Sequence, residues 1–284
     1  MSGLRIEGLI MKLATIRVSG GTRAVRIDGG QAVELDYSDV GAVLDDSSWN
    51  SGAKETGKTY SVDGLNYATL IPSPSKIICV GLNYRNHILE MGRELPTYPT
   101  LFAKFTDSLI GANDDIALTK ASEMMDWEAE LGVVVGRTVR NCSEEEAVEA
   151  IAGFTVMNDV TARDWQNRTL QWLQGKTFEA STPVGPHLVT MDISKVTDEG
   201  LDLSCEVNGE IVQQTSTKDL VFNPVALVSY ISQITTLRPG DLIATGTPGG
   251  VGHARKPPRY LKDGDRLVTK IEGIGELANT CRNV

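Results

Sequence analysis

Glu128 and Glu130, in the run Asp126-Trp127-Glu128-Ala129-Glu130-Leu131-Gly132-Val133-Val134-Val135-Gly136, are the residues whose types and spacing speak most directly to chemistry. The apolar, β-branched run Leu131 to Val135 closes on Gly136 and reads as a strand. Side chains in a strand alternate between faces, so positions 128 and 130 point the same way. Two carboxylates so close repel unless positive charge sits between them. Hard oxygen donors with no Cys or His beside them favour Mg²⁺, Mn²⁺ or Ca²⁺ over zinc. The pair alone fits equally an exposed strand edge with two solvated acids. Asp159 ends the strand-like run Phe154-Thr155-Val156-Met157-Asn158. Alone it reads as a turn or helix-cap aspartate. With Glu128 and Glu130 it completes a set of anionic donors for Mg²⁺ or Mn²⁺, which keep open positions for water or substrate.

Basic and polar side chains follow closely: Arg163, Gln166 and, in Gly175-Lys176-Thr177-Phe178, Lys176. Singly they are ordinary surface groups; grouped after the acids, they suit the carboxylate of a chelated substrate. His87 and Glu90 lie in Asn83-Tyr84-Arg85-Asn86-His87-Ile88-Leu89-Glu90-Met91-Gly92, which reads as a short helix stopped by Gly92. At i and i+3 they share a face, where a carboxylate can orient an imidazole and raise its basicity. The alternative is a surface histidine in a solvated turn. Gly92, Pro96 and Pro99 give the segment the look of a lid. The stretch Thr245-Gly246-Thr247-Pro248-Gly249-Gly250-Val251-Gly252 lacks the Gly-Lys-Ser/Thr ending of a phosphate loop, which argues against nucleotide binding. It reads either as plain turn architecture or as a turn bringing Thr247 and backbone amides to a ligand.

The elements that must position these groups are mainly strands. Leu13 to Val18 and Ala24 to Ile27 read as a hairpin through Gly20-Gly21, Asn208-Gly209 and Asp263-Gly264 as hairpin turns. Ser143-Glu144-Glu145-Glu146 is a capping box opening a helix to Ile151. Asn223-Pro224 opens another, with Leu227, Ile231 and Ile234 on one stripe. Strands outnumber helices and do not alternate with them, so the class is α+β and β-rich rather than doubly wound. Residues 1–70 read as a small α+β unit, Ile71-Pro72-Ser73-Pro74-Ser75 as a linker, and residues 76–284 as the main body with a lid at about 84–100.

Composition sets outer bounds. The chain has 284 residues, is 41% hydrophobic and 23% charged, and can bury a proper core. A net charge of −10 argues against nucleic acid and anionic membranes as partners, and leaves any anionic substrate to be met by local cations. Four scattered cysteines form no paired spacing, which fits a reducing compartment. No run approaches the roughly 18 apolar residues of a membrane span. The first ten residues are too short and charged for a signal peptide, and Met11 reads as an alternative start. A cytoplasmic protein is the expectation.

The pattern as a whole resembles the fumarylacetoacetate hydrolase family over about residues 76–280. Val80-Gly81-Leu82-Asn83-Tyr84 with His87-x-x-Glu90, the Glu128-x-Glu130 pair, Asn158-Asp159-Val160-Thr161-Ala162-Arg163-Asp164-Trp165-Gln166, Lys176-Thr177-Phe178 and Thr245-Gly246-Thr247-Pro248 stand in the family's order. The resemblance implies a mixed β-roll, a homodimer, and Mg²⁺ or Mn²⁺ held by Glu128, Glu130 and Asp159. It also implies His87 and Glu90 on a lid, Lys176 beside the metal, and Lys104 near the substrate, although Phe105 replaces the proline that often follows that lysine. The expected substrate is a small 2-oxo acid cleaved at C3–C4 through a pyruvate enolate, by an oxaloacetate decarboxylase or an acylpyruvate hydrolase of the fumarylpyruvate type. The alternatives are a 2-hydroxyhepta-2,4-diene-1,7-dioate isomerase, a non-catalytic metabolite-binding relative, and acids that hold a structural Ca²⁺.

Overall fold

The strand Ala129–Val135 is buried along its whole length, because its continuous apolar run is covered on both faces. It lies inside an eleven-stranded sheet of a computed structural model that describes residues 10–90 and 92–284. The order across this sheet is Glu55–Ser61, Gln31–Leu35, Gly21–Asp28, Lys12–Val18, Thr182–Val189, Ile151–Asn158, Ala129–Val135, Leu242–Ala244, Ile77–Gly81 and Thr100–Lys104, with Leu109–Ile110 beside Thr182–Val189. Most neighbours run antiparallel, but Leu242–Ala244 and Ile77–Gly81 are parallel, so the sheet is mixed. The meander of residues 12–61 joins it through pairing of Lys12 and Leu13 with Val189 and Leu188.

One face of the sheet packs on a second sheet of five strands, ordered Glu210–Ser216, Asp202–Val207, Arg266–Ile271, Gly275–Asn283 and Ile116–Leu118. Leu131, Val133, Phe154 and Val156 meet Leu203, Cys205, Leu267 and Leu277 in the core between them. The opposite face takes Val134, Met157, Val184 and Leu188 into a second cluster with Val40, Val43 and Leu44 of helix Val40–Asp45. Leu131 and Val134 therefore face opposite ways, as strand alternation requires. The fold is the β-rich α+β roll expected from the sequence.

Local signals are mostly obeyed. Ser143 caps helix Glu144–Ala150 in a full capping box, and Asn223 caps Pro224–Ile234 with Pro at its first turn. The Asn208-Gly209 turn joins its two strands as a hairpin. Two expectations are corrected. Asp263-Gly264 does not join two strands; the hairpin of Arg266–Ile271 is with Gly275–Asn283. The segment before Asp263 contains Pro257 and Pro258, which lack the amide hydrogens a ladder needs. On the last helix Leu227 and Ile231 are buried but Ile234 is 60% exposed, because the helix ends there.

All four cysteines are free and buried. Among the described residues no helix is long and apolar enough to cross a membrane. The possible extension at residues 1–10 falls almost wholly outside the described residues.

Candidate metal centre

Register explains why three carboxylates converge. Ala129 pairs with Asn158 and Glu130 with Met157, and Asp159 N–H donates to the Glu128 carbonyl at 2.8 Å. Glu128 and Asp159 thus sit opposite each other across two antiparallel strands, with Glu130 two residues on and on the same face. Each contributes an oxygen to a group lying within 4.8 Å of one another. Glu128 is 6% exposed, Glu130 1% and Asp159 0%, so these are not solvated edge acids.

Cations converge on the same point. Lys176 Nζ reaches Glu128 Oε2 and Asp159 Oδ2, both at 2.7 Å. Lys104 Nζ lies 2.6 Å from Asp159 Oδ1, and Arg163 Nη1 lies 2.6 Å from Glu128 Oε1. Burial alone would lower the pKa of Lys176, but the Asp159 and Glu128 carboxylates hold it above its ordinary value. Burial would raise Asp159, and Lys104 and Lys176 bring it below the usual range. Among the described residues Glu130 forms no ion pair and is attracted by Lys176 only at a distance. Its hydrogen bond is from the Gly246 amide at 2.7 Å, and burial, then Asp159 and Glu128, push its pKa well above the carboxylate range. Gly246 comes this close because its φ is +102° and a side chain would strike the Val80 carbonyl at 2.9 Å.

The donor set fits a hard divalent cation. Buried Asp126, Glu128, Glu130 and Asp159 confront Lys104, Arg163 and Lys176, four carboxyl groups against three cations, and the excess lies on Glu130. A divalent ion held by Glu128, Glu130 and Asp159 would supply the missing positive charge.

Of the other expected residues, Arg163 and Gln166 are joined to this centre, and His87, Glu90 and Thr247 lie at the glycine-rich loop. Arg163 Nη1 also donates to Gln166 Oε1 at 3.0 Å, while its buried Nη2 has no hydrogen-bond partner among the described residues. His87 and Glu90 lie on helix Arg85–Glu90, which ends before Gly92 at φ +66°. Helix and glycine-rich loop touch: a methyl group on Gly249 would lie 3.2 Å from His87 Nδ1 and 3.5 Å from Glu90 Oε2. Burial lowers the pKa of His87, opposed by Glu90 and Glu128, so its ring is neutral at pH 7. Thr247 Oγ1 accepts from Gln213 Nε2 at 2.9 Å.

Sequence reasoning missed Asp126 and Gln213. Asp126, fully buried, accepts from the Gly252 and His253 amides at 2.7 and 3.0 Å and from Arg163 Nε at 2.8 Å, so it fixes the guanidinium beside Glu128. Its place as a third acid two residues before Glu128 was the available signal, although the structure puts it on the separate strand Met125–Asp126. Gln213 carried no such mark.

A family model described as fumarylacetoacetate (FAA) hydrolase C-terminal matches residues 76–282. The chain is 40% identical over 266 residues to "Oxaloacetate tautomerase fahd2, mitochondrial" of Xenopus laevis, covering 89% of this chain and 83% of that protein. It is 44% identical over 217 residues to the human "Oxaloacetate tautomerase FAHD2A, mitochondrial", covering 76% and 69%. Among solved structures, the fumarylacetoacetate hydrolase of Exiguobacterium antarcticum superposes with a TM-score of 0.84 at 32% identity, over 96% of this chain and all (100%) of that one. The 2-hydroxyhepta-2,4-diene-1,7-dioate isomerase of Mycobacterium marinum gives 0.80 at 33%, over 96% and 98%. On the match across residues 76–282 and these relatives, the chain belongs to the fumarylacetoacetate hydrolase family.

Proposed function

We propose that this chain is an enzyme that interconverts the enol and keto forms of oxaloacetate, or of a closely similar small 2-oxo dicarboxylate, with Mg²⁺ or Mn²⁺. The observation that carries the reading is the cross-strand pair Glu128–Asp159 bridged by Lys176 at 2.7 Å to each, with Glu130 alongside. Glu128, Glu130 and Asp159 would hold a divalent ion, which would supply Lewis-acid polarisation of a 2-oxo group. Lys176 keeps a fixed positive charge at the same place, which favours the anionic form of the substrate. Arg163, locked by Asp126, presents its unpartnered Nη2 as a donor for a substrate carboxylate. His87, neutral and next to Glu90, is the base for a proton on C3.

The names of the relatives move the emphasis from the bond cleavage expected on sequence to proton transfer. Both pass through an enolate: tautomerisation removes a proton from C3, whereas decarboxylation of oxaloacetate breaks C3–C4 and releases CO₂. Acylpyruvate hydrolysis needs a water activated by His87 and Glu90 as well. The cytoplasmic placement is not what the relatives' names print, which is mitochondrial. A homodimer remains part of the proposal.

The test follows enol-oxaloacetate by its ultraviolet absorbance while lactate dehydrogenase reports pyruvate, with Mg²⁺, Mn²⁺ or EDTA and after subtraction of metal-only rates. EDTA-sensitive enol loss without pyruvate supports tautomerisation. Pyruvate release at the same rate returns the reading to decarboxylation, and neither signal overturns it.

A further inference from the structure

Gln213 is 2% exposed and makes three hydrogen bonds that link the metal-ligand strand to the glycine-rich loop. Its Oε1 accepts from the Ala129 amide, the residue between Glu128 and Glu130, at 2.9 Å. Its Nε2 donates to Thr247 Oγ1 at 2.9 Å and to the Pro248 carbonyl at 3.0 Å. The next residue of that loop, Gly249, is where His87 and Glu90 rest. One buried amide therefore spans from the acid cluster to the seat of the histidine helix.

A bulge puts it there. Cys205 pairs with Gln213 and Glu206 with Ile211, so Val212 is an extra residue in the strand Glu210–Ser216. Glu210 and Ile211 are both exposed and Val212 and Gln213 both buried, so the strand does not alternate one in, one out across the bulge. Bulges re-aim side chains in this way beside functional sites. The loop fits the bulge closely: Gly250 has φ +100°, and a side chain there would meet the Val212 carbonyl at 2.1 Å. Trp127 Nε1 donates to the Gly250 carbonyl at 3.2 Å, a second tie between strand and loop.

We propose that Gln213 is a positioning residue that sets the distance between the carboxylate cluster and the His87–Glu90 pair by holding the Thr247–Gly249 loop on the metal-ligand strand. It acts through His87 and needs no contact with substrate. The inference rests on the proposed function for its kinetic consequence but not for its structural one. A misplacement of about 1 Å costs on the order of 100-fold in rate, the scale expected when this link is cut.

The experiment compares wild type with Gln213→Met, of similar length but without the amide, and Gln213→Glu. Hydrogen–deuterium exchange is read at residues 85–90 and 224–234, and Mn²⁺ affinity by calorimetry. In Gln213→Met, exchange at 85–90 should rise by about tenfold, with 224–234 unchanged and Mn²⁺ affinity within about threefold. Unchanged exchange at 85–90 overturns the inference. If exchange rises everywhere the methionine variant is globally loosened, and Gln213→Glu decides by the same criterion, since it keeps an acceptor for Ala129 and loses the donor to Pro248. In the kinetic arm kcat should fall by about 100-fold with KM little changed, and in a His87→Ala background the same substitution should have almost no further effect. An additive loss overturns action through His87. A wild type with no turnover defeats the functional reading alone, because the exchange arm still decides the role of Gln213.

Discussion

Glu128 and Asp159 leave adjacent antiparallel strands directly opposite each other, tied by the Asp159 amide on the Glu128 carbonyl at 2.8 Å and by Lys176 Nζ between their side chains. Like charges facing across a ladder are destabilising unless neutralised. Here the neutralising ammonium comes from the short helix Leu173–Lys176. Strand register thus concentrates the acids while separate segments bring the cations, and among the described residues Glu130 is the member of the cluster with no ion pair.

Replacing Glu128 by Ala should abolish metal-dependent turnover and weaken Mn²⁺ binding by at least about 100-fold. It also strands Lys176 and Arg163 beside fewer acids, a loss of about 3–5 kcal/mol where one partner of a buried ion pair is removed. Thermal unfolding should therefore shift downwards while the protein still folds, and Glu128→Gln should shift less. Calorimetric Mn²⁺ titration checks this; normal metal binding by Glu128→Ala would remove Glu128 from the ligand set.

The pH profile follows from His87. Burial depresses its pKa below the ordinary value of about 6.5, so the ring stays neutral, and able to accept a proton, down to more acid pH. Activity should fall as pH drops through the folded pKa, placing the acid limb of kcat/KM, which reports the free enzyme, below about pH 6.5. His87→Ala should lower kcat by about 10²–10⁴ and remove that limb, and should depress enolisation more than decarboxylation, which needs no base at C3. Equal losses in both reactions would mean that the helix acts by closure alone.

What the sequence revealed depended on how local the determinant was. Glu128 and Glu130 share a face by strand periodicity, and the caps at Ser143 and Asn223 are encoded within four residues, so both were legible. That Asp159 lies opposite Glu128 depends on the register between Ala129–Val135 and Ile151–Asn158, which no short window contains. Gln213 was invisible because a bulge at Val212 breaks the alternation by which its direction would be read. Lys104 entered through resemblance alone; its ion pair with Asp159 joins residues 55 positions apart.

Gly249→Ala tests the seat of the histidine helix by addition rather than removal. Gly249 is not among the residues with positive φ, so its backbone accepts alanine without strain. The new methyl would press on His87 Nδ1 at 3.2 Å, tighter than ordinary contact. We expect kcat to fall about tenfold, with unfolding temperature and Mn²⁺ affinity nearly unchanged. An unaltered kcat would show that the helix can move aside freely.

Gly175→Ala should be the more damaging glycine replacement, for a reason that separates position from chemistry. A side chain at Gly175 would lie 2.4 Å from the Gln166 amide nitrogen and 2.5 Å from the Ala162 carbonyl, both backbone atoms that cannot swing away. The helix Leu173–Lys176 must then shift off Arg163–Gln166, and Lys176 moves with it. Overpacking of this kind costs about 1–3 kcal/mol, so the variant should fold but melt earlier. Its turnover should nevertheless fall towards that of Lys176→Ala, because the ammonium no longer bridges Glu128 and Asp159. Activity near wild type, measured well below the melting temperature, would show that Lys176 need not occupy that bridging position.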